Sequence, residues 1–508
     1  MTTMISEIAL ITAVSGNWPM YGGDSAHTSL QLMAGAMNTA PIVKWSFTAS
    51  GFFWLTYSGI ADCDGDGMAE VLASCDDGKI YCLPGASGTP AKWSFTAGGS
   101  NGDCSPAIAD VDGDGQQEVI TTGNSKVYRV NGATGLQEQV FSTSGNTDYS
   151  SPLVADLDAD GQKEVVVGAG SNVYCINGPA WTQEWVYTTG NLVNSSPALA
   201  DVDGNGTPEV VVGSADNKIY CLNNNGTLRW TLPTNGMVFS SPAAADLFAG
   251  DGGKEEVVIA GYSDTLYCLV DTVISGNDTC KLRWKVFIGN IADGTPAIAD
   301  VDGDGQKEVL VGNGTDDVYC FDGATGTQEW ARMDLPIGNS ARTLFIADID
   351  GNGDLEAVIG SDGGQIICLN AESGTTLWQK SMGVAVRAPF PGDIDGDGRI
   401  EIVVGTTTSN IVYALDDNNP TYGGENEEPG GNETIGFRAI GTSLYLFLSS
   451  GAMVSLSLYD ASGRLVQNLY NGVLSAGTHT FVPDIKAAGV YLVVLRSNND
   501  TRTVKFIR

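Results

Sequence analysis

The chain has 508 residues, with 25 Lys plus Arg against 60 Asp plus Glu and a formal net charge of −35. So acidic a surface speaks against nucleic acid and anionic membranes as partners, because both select basic faces. Sixty-six glycines beside 42% hydrophobic residues describe many turns and short strands around a real core, neither helical nor disordered, and no apolar run approaches the roughly 18 residues of a membrane helix, so no transmembrane segment is expected.

At the N-terminus, Ile8 to Val14 is apolar and Ala13-Val14-Ser15 has the small residues of a cleavage site, but Glu7 stands where a basic residue is usual. Residues 1–16 are therefore read either as a truncated signal peptide or as an N-terminal strand. Val43 to Phe47 (VKWSF) is a strand that precedes any repeat.

From there a pattern governs the chain. Asp-x-Asp-Gly-Asp/Asn-Gly-x-x-Glu begins at Asp62, Asp110, Asp156, Asp201, Asp300, Asp348 and Asp393, with an altered copy at Asp246, at separations of 45 to 54 residues. A short apolar segment (SPAIAD, TPAIAD) precedes most copies, and a β-branched run (EVVVG) follows. Next come KIYCL-type and Trp-containing segments such as LRW or QEW. These are four strands, A to D, per unit. Four strands per roughly 45 residues is the period of a propeller blade. The last unit ends at Tyr413-Ala414-Leu415 without a strand D, so VKWSF is expected to complete it and protect the sheet edges. The expected fold is all-β: an eight-bladed β-propeller over 17–415 closed by the N-terminal strand, an acidic linker over 416–435, and a small β-sandwich over 436–508.

The nine-residue loops carry the chemistry. Acids at positions 1, 3 and 5, a turn-forming Gly at 6 and a carboxylate at 9 suit a hard cation, and calcium takes roughly six to eight oxygens at about 2.3–2.6 Å. The candidate ligands are Asp62, Asp64, Asp66 and Glu70; Asp110, Asp112, Asp114 and Glu118; Asp156, Asp158, Asp160 and Glu164; Asp201, Asp203, Asn205 and Glu209; Asp300, Asp302, Asp304 and Glu308; Asp348, Asp350, Asn352 and Glu356; Asp393, Asp395, Asp397 and Glu401. One calcium per intact loop, about seven in all, is expected. Zinc is disfavoured for want of His or paired Cys ligands. In the altered copy Phe248 replaces an inward acid, so that loop is expected to be empty or weak, although Asp251 and Glu256 remain available.

This array resembles the FG-GAP/VCBS-type calcium-binding propeller repeats, found also in integrin α-subunit heads. The resemblance implies fold and calcium and says little of function. The Tyr-Cys-Leu and Thr-Gly-x-x-x-Trp elements, with Asn17-Trp18-Pro19-Met20-Tyr21-Gly22-Gly23, are also similar to quinoprotein-type propeller repeats.

Six of the ten cysteines, Cys82, Cys175, Cys221, Cys268, Cys320 and Cys368, recur at one place in strand C and read as small buried hydrophobes. Cys63 with Cys104, and Cys268 with Cys280, are candidate bridges. No nucleophile elbow, P-loop or metalloprotease helix is present, nor the adjacent Cys-Cys pair expected of a quinoprotein dehydrogenase. His27 and His479 read as structural. Arg332, Arg342 and Arg387 are scattered candidates for an acidic-sugar cleft, Arg342 and Arg387 lying just before strand A of their units, against the simpler reading that they pair with neighbouring acids.

Asp416 to Thr434 has linker composition. Beyond it SLYLFLS, VSLSLYD, RLVQNLY, GTHTFVP, GVYLVVLR and TRTVKFI alternate as strands. The LYDxxGRLV, GTH, GVYLV and TVKFIR elements resemble the C-terminal sorting domain of type IX secretion, without its usual Asn-Pro-rich opening. That resemblance implies export to the exterior or outer surface of a Gram-negative bacterium. From Gly436 onward seven basic residues face three acidic ones, so a basic module follows an acidic array, and a homo-oligomer or filament through this module is one assembly the charges allow. The functional expectation is a secreted or cell-surface calcium-binding propeller that binds a protein or glycan, adheres or builds structure. The alternative is an extracellular carbohydrate-active enzyme such as a propeller polysaccharide lyase.

Overall fold

A computed structural model of the chain describes residues 20–53, 59–99, 104–248, 250, 252–274, 277–289, 294–315, 317–333, 335 and 343–417, then 435–440, 443–448, 452–460, 464–474, 477–481, 490–497 and 500–507. Residues 1–16, the start of the quinoprotein-like segment at Asn17-Trp18-Pro19, Asp251, Arg342 and most of the acidic linker lie outside them. The chain separates into two compact units, Met1–Asn418 and Asn419–Arg508. Every regular element described is a strand, and no described helix is long and apolar enough to cross a membrane.

In the first unit the described strands form eight sheets in a propeller-like arrangement. Each of the first seven repeats gives four antiparallel strands in the order A to D. In the first sheet these are Gly59–Ala61, Glu70–Cys75, Lys79–Pro84 and Trp93–Thr96. After its opening Glu, strand B is apolar and β-branched because both its faces are covered: all six residues of Glu209–Ser214 are buried. Strand D is an outer strand, and Gln183–Thr188 alternates exposed and half-buried residues. In the eighth sheet, Val386–Gly392, Glu401–Thr406 and Ile411–Asp416 provide A to C, and Ile42–Thr48 pairs with strand C, Trp45 opposite Ala414 and Phe47 opposite Val412. The N-terminal strand therefore completes the last sheet, as the sequence predicts.

Two repeated contacts join successive sheets. The strand-D indoles donate to carbonyls of the following sheet: Trp93 Nε1 to Gly132 O (2.7 Å), Trp284 to Gly323 O (2.7 Å), Trp330 to Ala371 O (2.9 Å), and Trp45 of the eighth sheet to Gly85 O of the first (2.5 Å). The Gly of the turn before strand D lies under the preceding ring. A Cβ on Gly135 (φ +68°) would come within 2.6 Å of Trp93, so both conformation and space call for glycine. Further in, Ser105, Ser151 and Ser196 donate their backbone N–H to Ser151, Ser196 and Ser241 Oγ at 2.9–3.0 Å, a chain of buried hydroxyls that explains the Ser before Pro in these four repeats.

The recurring cysteines are all free and fully buried. Each sits opposite the Trp of strand D, as Cys175 opposite Trp185 and Cys221 opposite Trp230, so a small residue faces a large one. The second sheet supports this reading: where Gln139 replaces the Trp, Arg129 replaces the Cys. Both proposed bridges are corrected. Cys63 Sγ lies 3.8 Å from Cys82 Sγ of its own sheet, while Cys104 bonds Thr147 O (3.3 Å). The Cys63 thiol instead sits between Cys82 and Gly132 O of the following sheet (3.4 Å), with Cys104 held elsewhere. In the fifth sheet the long spacing is a lengthened hairpin, Thr265–Ile274 with Asn277–Phe287, in which Cys268 opposes Trp284 and Cys280 opposes Asp271, on different rungs.

Residues 25–37 run across the innermost strands. The N–H groups of Leu199, Ala244, Ile298 and Ile346 donate to the carbonyls of Ser25, Ala26, Thr28 and Ser29 at 2.7–2.9 Å, and Leu30–Gln31 adds in parallel to the seventh sheet. His27 is buried in this segment, with Nδ1 3.1 Å from Pro242 O, and burial lowers its pKa to about 4.

The second unit has two antiparallel sheets, one of Ile435–Ile440, Ser443–Leu448 and Gly477–Phe481, the other of Leu465–Leu474, Ala452–Asp460, Val490–Ser497 and Asp500–Ile507. The six expected strands are present and a seventh, Ile435–Ile440, precedes them. Asp416 and Ile435, assigned to the linker from composition, are strand residues.

Candidate metal centres

Each acidic loop joins strand A to strand B, and its own backbone fixes the carboxylates. In the first loop Asp62 accepts from Gly65 N (2.7 Å) and Gly67 N (2.9 Å), Asp64 Oδ1 from Asp66 N (3.2 Å), and Asp66 Oδ1 from Met68 N (2.8 Å). The position-1 carboxylate is anchored in the same way at Asp110, Asp300, Asp348 and Asp393. In the third and fourth loops Asp156 and Asp201 take the amides of positions 5 and 6 instead. The third loop has Ala159 at position 4, with φ +62° where the others have Gly.

The position-9 Glu opens strand B and is buried in every copy. Its Oε2 accepts the backbone N–H of position 2, as from Val111 to Glu118 (2.8 Å), Val301 to Glu308 (2.8 Å) and Ile349 to Glu356 (2.8 Å). The outer oxygens, Oδ2 of position 3 and Oε1 of position 9, are not taken up by these backbone bonds. Ligand oxygens lie within 4.8 Å of one another in Asp62–Asp64–Asp66, Asp110–Asp112–Glu118, Asp156–Asp158–Glu164, Asp201–Asp203–Glu209 and Asp300–Asp302–Asp304. The sets thus differ: position 5 joins in the first and sixth loops, position 9 in the second to fourth. Asp114 and Asp160 stand outside their sets, and they, like Asn205, cap the amide two residues on (2.7–2.8 Å).

Burial, reinforced by the neighbouring acids, pushes Glu118, Glu164, Glu308 and Glu356 up to about 7, Glu209 to about 8 and Glu401 to about 10. Glu356 Oε1 and Glu401 Oε1 are buried without a hydrogen-bond partner. An all-oxygen set with such orphaned acceptors fits a hard divalent cation.

Sequence reasoning missed the cationic side chains that reach these oxygens. Lys92 Nζ lies 2.6 Å from Asp64 Oδ2, 3.0 Å from Asp66 Oδ2 and 2.6 Å from Glu70 Oε1. Arg129 reaches Asp112 Oδ2 (3.2 Å), Arg229 reaches Asp203 Oδ2 (3.0 Å), and Lys44 reaches Asp395 Oδ2 (2.6 Å). Except for Arg129, each stands immediately before the strand-D Trp, a sequence signal that becomes meaningful only once strand D is known to lie beside the loop. In the altered fifth copy Arg283 bonds Glu256 Oε1 (3.0 Å) and stacks 3.7 Å from the Phe248 ring, while Asp246 Oδ1 accepts from Phe248 N (3.2 Å).

Of the arginines considered for a sugar cleft, Arg387 pairs with both oxygens of Asp362 (2.6 Å each), and Arg332 donates to Gly374 O (2.7 Å). A cavity of about 370 Å³, lined by Thr28, Leu30, Ala245 and Ile298, reaches Asp300 and Asp348.

Residues 62–121, 300–359 and 348–404 match the FG-GAP-like repeat, and residues 180–272 match the lambda-carrageenase β-propeller domain. No curated protein matches the chain. Among solved structures it is similar to the quinohemoprotein alcohol dehydrogenase of Comamonas testosteroni at 13% identity and TM-score 0.58, covering 86% of this chain and 85% of that one. It is similar to a europium-containing methanol dehydrogenase at 11% identity and TM-score 0.61, covering 81% and 100%. The quinohemoprotein alcohol dehydrogenase ADHIIG of Pseudomonas putida HK5 gives 11% and 0.59, covering 85% and 84%. At these identities the likeness is one of fold. The chain carries FG-GAP-like repeats on a β-propeller, with several acidic groups that can hold a metal ion.

Proposed function

We propose that this is an extracellular calcium-binding β-propeller of eight blades that presents a binding or adhesive surface to a protein or glycan. The observation that carries the reading is the repeated loop, in which three or four carboxylates or amides are anchored by backbone N–H groups while the remaining oxygens face one another. Calcium would be held by carboxylates of the acidic loops between Asp62 and Glu401, in those whose outer oxygens no side-chain cation already occupies, and would supply the positive charge that lets buried Glu side chains stay ionised. The loops lie between the inner strands A and B, so their rigidity bears on the whole ring. In this reading the C-terminal unit is a type IX sorting domain, supported by the LYDxxGRLV, GVYLV and TVKFIR elements, and the chain is exported from the cell. A glycan array probed with the full chain, with and without calcium, tests the binding role. Calcium-dependent retention of a defined glycan class supports it, and no retention in either condition opposes it for glycans.

A second reading, a carbohydrate-active enzyme, is favoured by one observation, the match of residues 180–272 to the propeller domain of a lambda-carrageenase. Turnover of a retained glycan would establish it.

A further inference from the structure

The eight loops face different side chains. The residue before the strand-D Trp looks onto the loop of its own sheet: Lys92 in the first, Arg229 in the fourth, Arg283 in the fifth and Lys44 in the eighth contact loop carboxylates. In the second sheet that place is taken by Glu138, and Arg129 from strand C bridges it to Asp112 at 3.2 Å each. In the third and sixth sheets it is Glu184 and Glu329, and in the seventh Leu377. Among the described residues no basic side chain pairs with a carboxylate of the loops at 156–164, 300–308 or 348–356.

The first and seventh loops are the extremes. In the first, one ammonium binds the outer oxygens of three predicted ligands, Asp64, Asp66 and Glu70, at 2.6–3.0 Å. In the seventh, Leu377 is 45% exposed and carries no charge, while the fully buried Glu356 has its Oε1 unpartnered beside the Asp348 and Asp350 carboxylates. A divalent ion entering the first loop must displace the ammonium and leave it beside a like charge, which costs affinity. One entering the seventh meets anionic oxygens with no competitor.

We propose that Lys92 is the resident cation of the first loop and excludes calcium from it, whereas the seventh loop is a high-affinity calcium site. This rests on the calcium reading above and goes further, in making the residue before the strand-D Trp the determinant of which loops load.

The test exchanges that residue in the full chain. Wild type, Lys92→Leu and Leu377→Lys are stripped of metal and titrated with calcium alone by calorimetry, with bound calcium counted by elemental analysis and folding checked by circular dichroism. Lys92→Leu is expected to gain one tight site, tightening that loop by about tenfold or more, and Leu377→Lys to lose one. Lys92→Gln, which keeps a polar head, gains the site as well and serves if the Leu variant does not fold. Unchanged stoichiometry and affinity in folded Lys92 and Leu377 variants, with the wild type binding calcium, overturns the inference and leaves the calcium reading standing. A wild type that binds no calcium overturns both.

Discussion

The loops of the fifth and sixth sheets join equivalent strands of neighbouring sheets and meet opposite surroundings. Around Glu308 stand Asp300, Asp302 and Asp304, with Glu329 of strand D nearby, so the group is strongly anionic. Around Glu256 stand Arg283 and the Phe248 ring on which it stacks. A guanidinium that travels with the chain makes the fifth loop independent of solutes, and an aromatic can then replace an acid. The sixth has no such partner among the described residues, and only a dissolved cation relieves its repulsion. What surrounds the carboxylates matters as much as their number.

The sharpest way to break this contrast is a pair of substitutions. Asp302→Ala is expected to remove one bound calcium per chain and to lower stability by about 2.7 kcal/mol when that site is held at 100 times its dissociation constant. Asp246→Ala should leave calcium stoichiometry unchanged and cost little. Calcium analysis with thermal unfolding checks both, and equal losses from the two would contradict the distinction.

A second effect concerns pH in metal-stripped protein. Glu118, Glu164, Glu308 and Glu356 titrate near 7 when folded, against an ordinary value of 4.5. The folded state thus binds protons more tightly than the unfolded one. Its stability is greatest below about pH 4.5 with respect to these groups and is lost as pH rises through 7. Calcium requires the ionised ligands and should reverse the slope, with stability lost on acidification. Melting temperatures across this range, with and without calcium, should show opposite trends; parallel trends would count against buried position-9 carboxylates as ligands.

The smallest expected effect lies in the third loop. Ala159 holds φ +62° where most other copies use Gly. Ala159→Gly should stabilise the protein by about 1 kcal/mol at most, since the relieved backbone strain is partly offset by the greater freedom of Gly in the unfolded chain. A clear loss of stability would mean that the alanine methyl has a packing role.

Much of the architecture was legible because it is written in side chains at fixed spacing. The Asp-Gly loops, the β-branched strand B and the missing strand D of the last unit led to the pairing of Ile42–Thr48 with Ile411–Asp416. The crossing segment at residues 25–37 was not legible, because it binds the inner strands mainly through backbone groups that leave no residue pattern. Lys92 was overlooked for a different reason. It stands 22 to 28 residues beyond the carboxylates it binds, and nothing in a single repeat shows that strand D flanks the loop. The disulfide expectations fail because adjacency of repeats does not fix which atoms a thiol meets: Cys63 lies against Cys82 and Gly132 O, while Cys104 bonds Thr147 O.

The most direct measurement is the thermal unfolding of the full chain in calcium and after chelation, with metal content determined on the same samples. A calcium-bound propeller should contain several ions per chain, melt at a markedly lower temperature once stripped, and recover on calcium addition. An unchanged melting temperature in protein shown to be stripped of metal would contradict calcium as the ion that balances these loops.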